Sequence, residues 1–194
     1  MSMSTGVARA ISALGHPLIT IAVFVVLIAV REGDSVLPLR YAILIVAALV
    51  IPVAAWNLRQ TQSGRYGNFD VSVRTQRASM YVVILVLMVP MTIAFFWAPV
   101  SRGVRIGMVS IATMFIAASA INFAGLKLSL HAAVSFFVAV VCMWIDVRVG
   151  VVLCGLAIAV AVSRLVLRRH TPLEVCLGAG LGTATALAFS LAVQ

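Results

Sequence analysis

The sequence contains few charged side chains and very few acidic ones. Only 10% of its 194 residues are charged, and Asp and Glu together number five, whereas 63% of the residues are hydrophobic. Soluble domains are ordinarily about 45–50% apolar and about 25% charged. A water-soluble fold of this length could not bury the excess, so the scarcity of charge excludes a soluble globular protein.

Patterns that bind metal ions are also missing from the sequence. Its three cysteines, Cys142, Cys154 and Cys176, lie inside apolar runs without CxxC spacing or companion histidines, which favours packing roles. The few carboxylates form no cluster of the kind that holds magnesium or zinc. We therefore expect no metal ion and no other cofactor.

The net charge of +9 does not indicate nucleic-acid binding. The arginines lie in short segments between apolar runs and do not form one stripe with interleaved aromatic residues, as a nucleic-acid surface would. Membrane topology, anionic lipids or a phosphate-bearing substrate explain this charge better. We expect membrane lipids, and no nucleic acid, as partners.

Long apolar runs dominate the chain and predict transmembrane helices. Their approximate bounds are 16–30, 37–58, 79–98, 102–122, 131–146, 148–168 and 172–193. The stretch from 131 to 168 is broken only at 146–148, and its length favours two spans with a tight turn over one interrupted span. We predict an all-α polytopic bundle of about six or seven spans, forming a single integral membrane domain (residues 1–194) in a bacterial or archaeal cell membrane.

One long polar segment, residues 59–79, interrupts this pattern and cannot cross hydrocarbon unaided. We predict that it forms a loop or an interfacial segment. Arg74 and Arg77 lie three residues apart within it and would share one face of a helix. Two guanidinium groups in that arrangement could hold a tetrahedral oxyanion.

The most informative stretch of the sequence runs through residues 163–174. Pro172 suits a first helical turn. His170 precedes Glu174 by four residues, so the carboxylate can turn back onto the imidazole and hold it in one tautomer. A histidine oriented in this way can act as a nucleophile.

A second histidine, His131, lies at the start of an apolar run and closely follows Lys127 and Ser129. It could act as a general acid. Considered without the other motifs, it would be interpreted as an interfacial histidine at the end of a membrane helix. Lys127 likewise allows two interpretations, a phosphate ligand or a lysine that extends its ammonium group toward the membrane surface.

Over roughly residues 70–180 these segments resemble the type-2 phosphatidic acid phosphatase superfamily, whose motifs are KxxxxxxRP, PSGH and SRxxxxxHxxxD. The third motif matches with correct spacing at Ser163, Arg164, His170 and Glu174, with Glu in place of Asp. The second motif matches at Ser129 and His131. The first motif aligns Arg77 with the arginine of the family but places Asp70 at its lysine position, so Arg74 is the candidate for the missing cation.

The resemblance implies a metal-independent phosphatase that hydrolyses a phosphomonoester or diphosphate of a lipid or isoprenoid. It implies that His170 attacks phosphorus to form a phosphohistidine, that His131 protonates the leaving oxygen and that Glu174 orients His170. The residues expected to bind the substrate phosphate are Arg74, Arg77, Arg164, Ser129 and Lys127.

A non-enzymatic interpretation stays open beside this one. In a small membrane transporter or an assembly subunit, the two histidines and Glu174 would form a buried polar or proton-relay cluster. His16, which precedes Pro17, matches no motif and is interpreted as an interfacial residue.

Overall fold

The computed structural model describes residues 3–31 and 36–194, and every regular element within them is helical. In chain order the helices are α1 (Thr5–Leu14), α2 (Pro17–Arg31), α3 (Val36–Ile45), α4 (Ile51–Gln62), α5 (Arg74–Trp97), α6 (Arg102–Phe123), α7 (Leu130–Ile145), α8 (Val147–Val166) and α9 (Pro172–Val193). A π-helical turn, Val46–Val50, joins α3 to α4. The all-α prediction is confirmed for these residues. Most of the polar break after the first predicted span, at 32–35, lies outside the described residues.

The chain is an integral membrane protein with several apolar helices. Among the described residues, five helices are long and apolar enough to cross a bilayer: Leu37–Gln62, Arg74–Trp97, Arg102–Phe123, Val147–Val166 and Pro172–Val193. The number rises to six if the bent pair Thr5–Leu14 and Pro17–Val30 is one span. In each of the five, at most 39% of the residues in the apolar 18-residue stretch are buried inside the chain. Most of their side chains are therefore not buried by the protein, as contact with lipid requires.

The predicted span at 131–146 differs from these five. It corresponds to α7, whose 16 residues extend about 24 Å at 1.5 Å per residue, which is short of the roughly 30 Å hydrocarbon core of a bilayer. Ten of its residues are buried. A helix that is apolar on all sides is typical of a protein interior. Asp146 separates α7 from α8, so the run from 131 to 168 is two helices. Only α8 is long enough to be a candidate span.

The chain forms two compact units, which are described separately. The first contains Met1–Thr20 and Ala120–Gln194. Its central element, α7, packs against both α8 and α9, while α1 packs against α8. Small residues allow the closest of these approaches, since Gly178 and Gly182 of α9 lie directly against the backbone of Ser129 and Ala133. The two glycines are four residues apart, a spacing that is typical of closely packed helices.

The second unit contains Ile21–Ser119 and has a buried core of Ile45, Phe95 and Met108. The polar segment predicted at 59–79 lies in this unit and is narrower than expected. Residues 59–62 are the last turn of α4 and α5 begins at Arg74, so only residues 63–73 are not helical.

Tyr66 fixes the position of this short connection. The side chain is buried, and its hydroxyl lies 2.7 Å from Ser79 Oγ on α5. The same hydroxyl accepts a hydrogen bond from Trp56 Nε1 of α4 at 3.1 Å. Because one phenol links the helices on both sides, the loop between them is a defined structure.

Candidate functional site

Three helix ends meet at one end of the first unit: the start of α7, the end of α8 and the start of α9. Ala132, Ala161 and Val175, one from each helix, form a shared buried apolar cluster. Most of the predicted site residues are close in sequence to these three. The members that fall in the first unit are Lys127, Ser129, His131, Arg164, His170 and Glu174.

Glu174 holds His170 at the start of α9, as the sequence predicted. His170 Nδ1 lies 2.7 Å from Glu174 Oε2, and the imidazole is completely buried. With the carboxylate as acceptor, Nδ1 carries the proton and Nε2 keeps its lone pair. The hydrogen bond therefore fixes the tautomer of a neutral His170 ring.

A capping box at the start of α9 explains why a glutamate occupies this position. Thr171 Oγ1 accepts a hydrogen bond from the backbone N–H of Glu174, and Glu174 Oε2 accepts one from the N–H of Thr171, both at 3.3 Å. The third residue of a helix needs a long side chain to reach back to the capping residue. The extra methylene of Glu, compared with the Asp of the family motif, allows one carboxylate to cap the helix and hold His170.

Lys127 is also bound to Glu174. Its Nζ lies 3.2 Å from Glu174 Oε2 and donates to the carbonyl of Arg169 at 3.0 Å. An ammonium group has three donors, and these two contacts fix its position between the end of α8 and the start of α9. The expected contact of Lys127 with phosphate stays a prediction, but its contacts in the structure are those of a residue that positions Glu174.

The chain turns from α8 toward His170 through a Schellman motif. Arg169 N–H donates to the carbonyl of Arg164 and Arg168 N–H to that of Leu165, while Arg168 adopts a left-handed conformation with φ of 51°. These are the two hydrogen bonds and the left-handed residue that define this helix ending. The motif sets the direction of the chain immediately before His170.

Ser129 caps the amino-terminal end of α7, the helix that contains His131. Its hydroxyl accepts a hydrogen bond from the N–H of Ala132 at 3.3 Å, and its own N–H donates to the carbonyl of Glu174 at 2.9 Å. The residue is fully buried. Ser129 therefore joins α7 to α9, a structural role that the sequence did not reveal, and its expected contact with phosphate stays a prediction.

His131 and Arg164 are both buried and both contact the amino-terminal part of the chain. His131 is 4% exposed. Arg164 is the largest fully buried side chain of the described residues, and its Nη1 donates to the hydroxyl of Ser12 on α1. A buried guanidinium in a membrane protein requires polar partners or an anion.

His16 is buried inside the first unit, and its interpretation as an interfacial residue stays a prediction. Its relative exposure is only 9%, and its ring packs edge to face on His131 with a centroid distance of 5.2 Å and an interplanar angle of 84°. Ser12 is not among the site residues that the sequence predicted. The sequence gives little indication that Ser12 and His16 lie near the site. His16 is one of only three histidines, and Ser12 precedes it by four residues.

The remaining two predicted residues, Arg74 and Arg77, belong to the second unit and differ in environment. Arg74 begins α5 and is exposed, whereas Arg77 is 2% exposed and donates through Nε to the carbonyl of Val71 at 2.8 Å. Val71 has a φ of 49°, a strained conformation for a β-branched residue. Arg77 therefore stabilises a strained turn, and a shared phosphate contact by the two arginines stays a prediction.

Comparison with known proteins adds no family to this description. The sequence matches no protein-family model, and comparisons with curated proteins and with solved structures find no match. What the protein does is therefore inferred from its own residues and contacts.

Proposed function

We propose that this protein is a membrane lipid phosphatase that removes phosphate from a phosphomonoester or diphosphate of a lipid or isoprenoid. The observation that carries the proposal is the 2.7 Å hydrogen bond between His170 and Glu174. It fixes the tautomer in which the lone pair for attack lies on Nε2, and a nucleophile oriented by a neighbouring base is typical of covalent catalysis. The resemblance to the phosphatase motifs supports the same assignment of roles.

In the first step, His170 Nε2 forms a bond to phosphorus while the bond from phosphorus to the leaving oxygen breaks. His131 donates a proton to that oxygen, so the lipid alcohol or phosphate leaves neutral or singly protonated. The imidazole gains positive charge when it attacks, and the carboxylate of Glu174 stabilises that charge through Nδ1–H. The phosphohistidine then reacts with water, from which His131 removes a proton, and inorganic phosphate leaves.

Arginine side chains supply the electrostatic part of this chemistry. Phosphoryl transfer requires cations around the equatorial oxygens more than it requires covalent chemistry from the protein. Arg164 is buried within the same unit as both histidines, where the low dielectric strengthens its interaction with an anion. We assign Arg164 to the phosphate. Arg74 and Arg77 lie in the second unit, and their role in phosphate binding stays a prediction.

The substrate tail would be held among apolar helices, in keeping with a chain that lies mostly within the bilayer. The setting that we propose is a bacterial or archaeal cell membrane.

One observation favours a second candidate, a membrane protein without enzymatic activity. The His170 ring is completely buried, and so is Arg164. Buried polar groups of this kind also form the cores of transporters and assembly subunits. In that case the histidines and Glu174 would make a fixed hydrogen-bonded cluster or a proton relay.

Phosphate release in the presence of EDTA separates the two candidates. Purified protein in detergent would be given phosphatidate and an isoprenoid diphosphate, and inorganic phosphate would be measured. We expect release by the unmodified protein, none by His170→Ala, and normal release by a Gly180→Ala control, because a Cβ added at Gly180 would have no neighbour within 4 Å. No release from any lipid phosphate, or release that requires a divalent ion, would contradict the proposal.

The role of His131 can be tested with leaving groups of different basicity. An aryl phosphate leaves without a proton, whereas an alkyl phosphate needs one. We expect His131→Ala to form an acid-labile phosphoenzyme on His170 from p-nitrophenyl phosphate far faster than from phosphatidate. Equal losses on both substrates would argue against His131 as the general acid.

A further inference from the structure

Residues 12–16, here called the amino-terminal segment, make three separate contacts with α7 and α8. The first is between Ser12 and Arg164, in which the buried hydroxyl accepts from Nη1. It joins residues that are 152 positions apart in the sequence. The guanidinium that we assign to phosphate is thus oriented by a side chain outside every phosphatase motif.

The second contact is made by Gly15 at the end of α1. A Cβ at this position would overlap the side chain of Val160 on α8 and would lie 3.2 Å from the carbonyl of Ile11. Val160 and Arg164 are four residues apart and therefore lie on one face of α8. Gly15 thus allows the amino-terminal segment to lie directly on the face that carries Arg164.

The third contact is the edge-to-face packing of His16 on His131. His16 is itself held in place, because Nδ1 accepts a hydrogen bond from the N–H of Leu18 at 3.3 Å in the manner of a residue that caps the start of a helix. An acceptor at Nδ1 leaves the proton of neutral His16 on Nε2. The ring that borders His131 is therefore fixed in both position and tautomer.

We propose that Ser12 and His16 are positioning residues of the phosphatase site, Ser12 for Arg164 and His16 for His131. Edge-to-face ring packing restricts the plane of a neighbouring ring, and a general acid must point at the leaving oxygen to within hydrogen-bonding geometry. A guanidinium held by a hydroxyl needs no reorganisation when the phosphate arrives. This inference rests on the proposed function, which it deepens.

Substitutions at His16 separate ring packing from helix capping. His16→Phe keeps a ring beside His131 but loses the cap, whereas His16→Asn keeps a capping side chain and loses the ring. We expect His16→Asn to lower kcat on phosphatidate about tenfold, with little change in KM and little change in kcat on p-nitrophenyl phosphate. We expect His16→Phe to retain more turnover than His16→Asn. If His16→Asn keeps full turnover, and if the turnover of His16→Phe falls only in proportion to its lower stability, then His16 is only a helix cap and the proposal fails.

A spectroscopic test of the same contact does not depend on turnover. The protein has only three histidines, so the ¹⁵N spectrum of labelled imidazoles in detergent contains three rings. We expect His16→Asn to shift the signals of His131 and to leave those of His170 in place. If the proposed function is wrong, phosphate release fails while this shift is still seen; if His131 is unaffected, the positioning role is wrong whatever the protein hydrolyses.

The link between Ser12 and Arg164 is tested with inorganic vanadate, a mimic of phosphate in transfer. Ser12→Ala should weaken vanadate binding about tenfold, and Ser12→Thr, which keeps the hydroxyl, should restore part of it. In an Arg164→Lys background the effect of Ser12→Ala should largely disappear, because coupled residues are not additive. Ser4→Ala, which removes the cap at the start of the same helix, is the control, and equal losses from both serines would overturn the assignment.

Gly15 offers a test by suppression. Gly15→Ala should lower turnover because its Cβ displaces the amino-terminal segment from Val160, and that side chain is stiff. Adding Val160→Ala makes room for the new methyl group and should restore turnover. A double variant no better than Gly15→Ala would show that the position of this segment does not control activity.

Discussion

The carboxylate of Glu174 accepts a hydrogen bond from His170 Nδ1 at 2.7 Å. The same oxygen, Oε2, also receives the N–H of Thr171 and the ammonium group of Lys127. One atom therefore caps a helix, pairs with a cation and orients the proposed nucleophile. This arrangement makes the charge and the length of Glu174 separately testable.

Replacing Glu174 by Gln should keep the fold but lower kcat by about 10²–10⁴, as in other sites where a carboxylate orients a histidine. The amide has nearly the same shape, but it lacks the charge that stabilises the imidazolium formed on attack. Vanadate binding should change little. The measurement is single-turnover kinetics on phosphatidate with circular dichroism as a check on folding.

Glu174→Asp is the matched variant, because it keeps the charge and loses only reach. We expect it to retain more turnover than Glu174→Gln and to be less stable, since a shorter side chain caps the start of α9 less well. Turnover by Glu174→Gln equal to that of the unmodified protein would end the hypothesis of an orienting carboxylate.

Lys127→Met should affect the rate more than the binding of phosphate. The sequence alone allowed Lys127 to be a phosphate ligand, whereas the structure pairs its ammonium group with Glu174 and the carbonyl of Arg169. Losing a positioning cation should lower kcat and leave vanadate affinity within about twofold. The opposite pattern, with unchanged kcat and much weaker vanadate binding, would restore the original interpretation.

Local features of this protein could be predicted from the sequence. The apolar runs indicated the helices, and the four-residue spacing of His170 and Glu174 indicated their contact. The spacing of Gly178 and Gly182 is likewise typical of closely packed helices. Each of these follows from the geometry of a single helix or from the size of one residue. The capping box formed by Thr171 and Glu174 is also a local feature, because it depends on two residues that are three positions apart.

Contacts between distant parts of the chain could not be predicted in this way. The hydrogen bond from Arg164 to Ser12 spans 152 positions, and neither residue type indicates its partner. The same holds for His16 and His131. The burial of α7 was also hidden, because a buried helix and a membrane span are equally apolar and differ only in where neighbouring helices lie.

We expect Arg74→Ala and Arg77→Ala each to lower kcat/KM by about 10²-fold, because each variant loses one charge-assisted contact with phosphate. The two variants should differ in stability. Arg74 is exposed, so its loss should leave the melting temperature unchanged. Arg77→Ala removes the donor to the carbonyl of Val71 and should also lower the free energy of unfolding by about 1–3 kcal/mol. Normal turnover in both folded variants would refute a phosphate role for this pair.

Gly178→Ala tests whether the joint between α7 and α9 sets the geometry of the site. Its Cβ would overlap the backbone of Ser129, which cannot move aside as a flexible side chain could, so we expect a loss of about 1–3 kcal/mol from overpacking. Gly180→Ala is the control, because no atom lies within 4 Å of its Cβ position and alanine favours a helix over glycine.

Because Ser129 also donates to the carbonyl of Glu174, displacing it should move the proposed acid and nucleophile apart, and kcat should fall more than the folded fraction does. Thermal unfolding and turnover measured side by side decide this, and a Gly178→Ala protein as stable and as active as the Gly180→Ala control would show that the close approach of these helices is incidental.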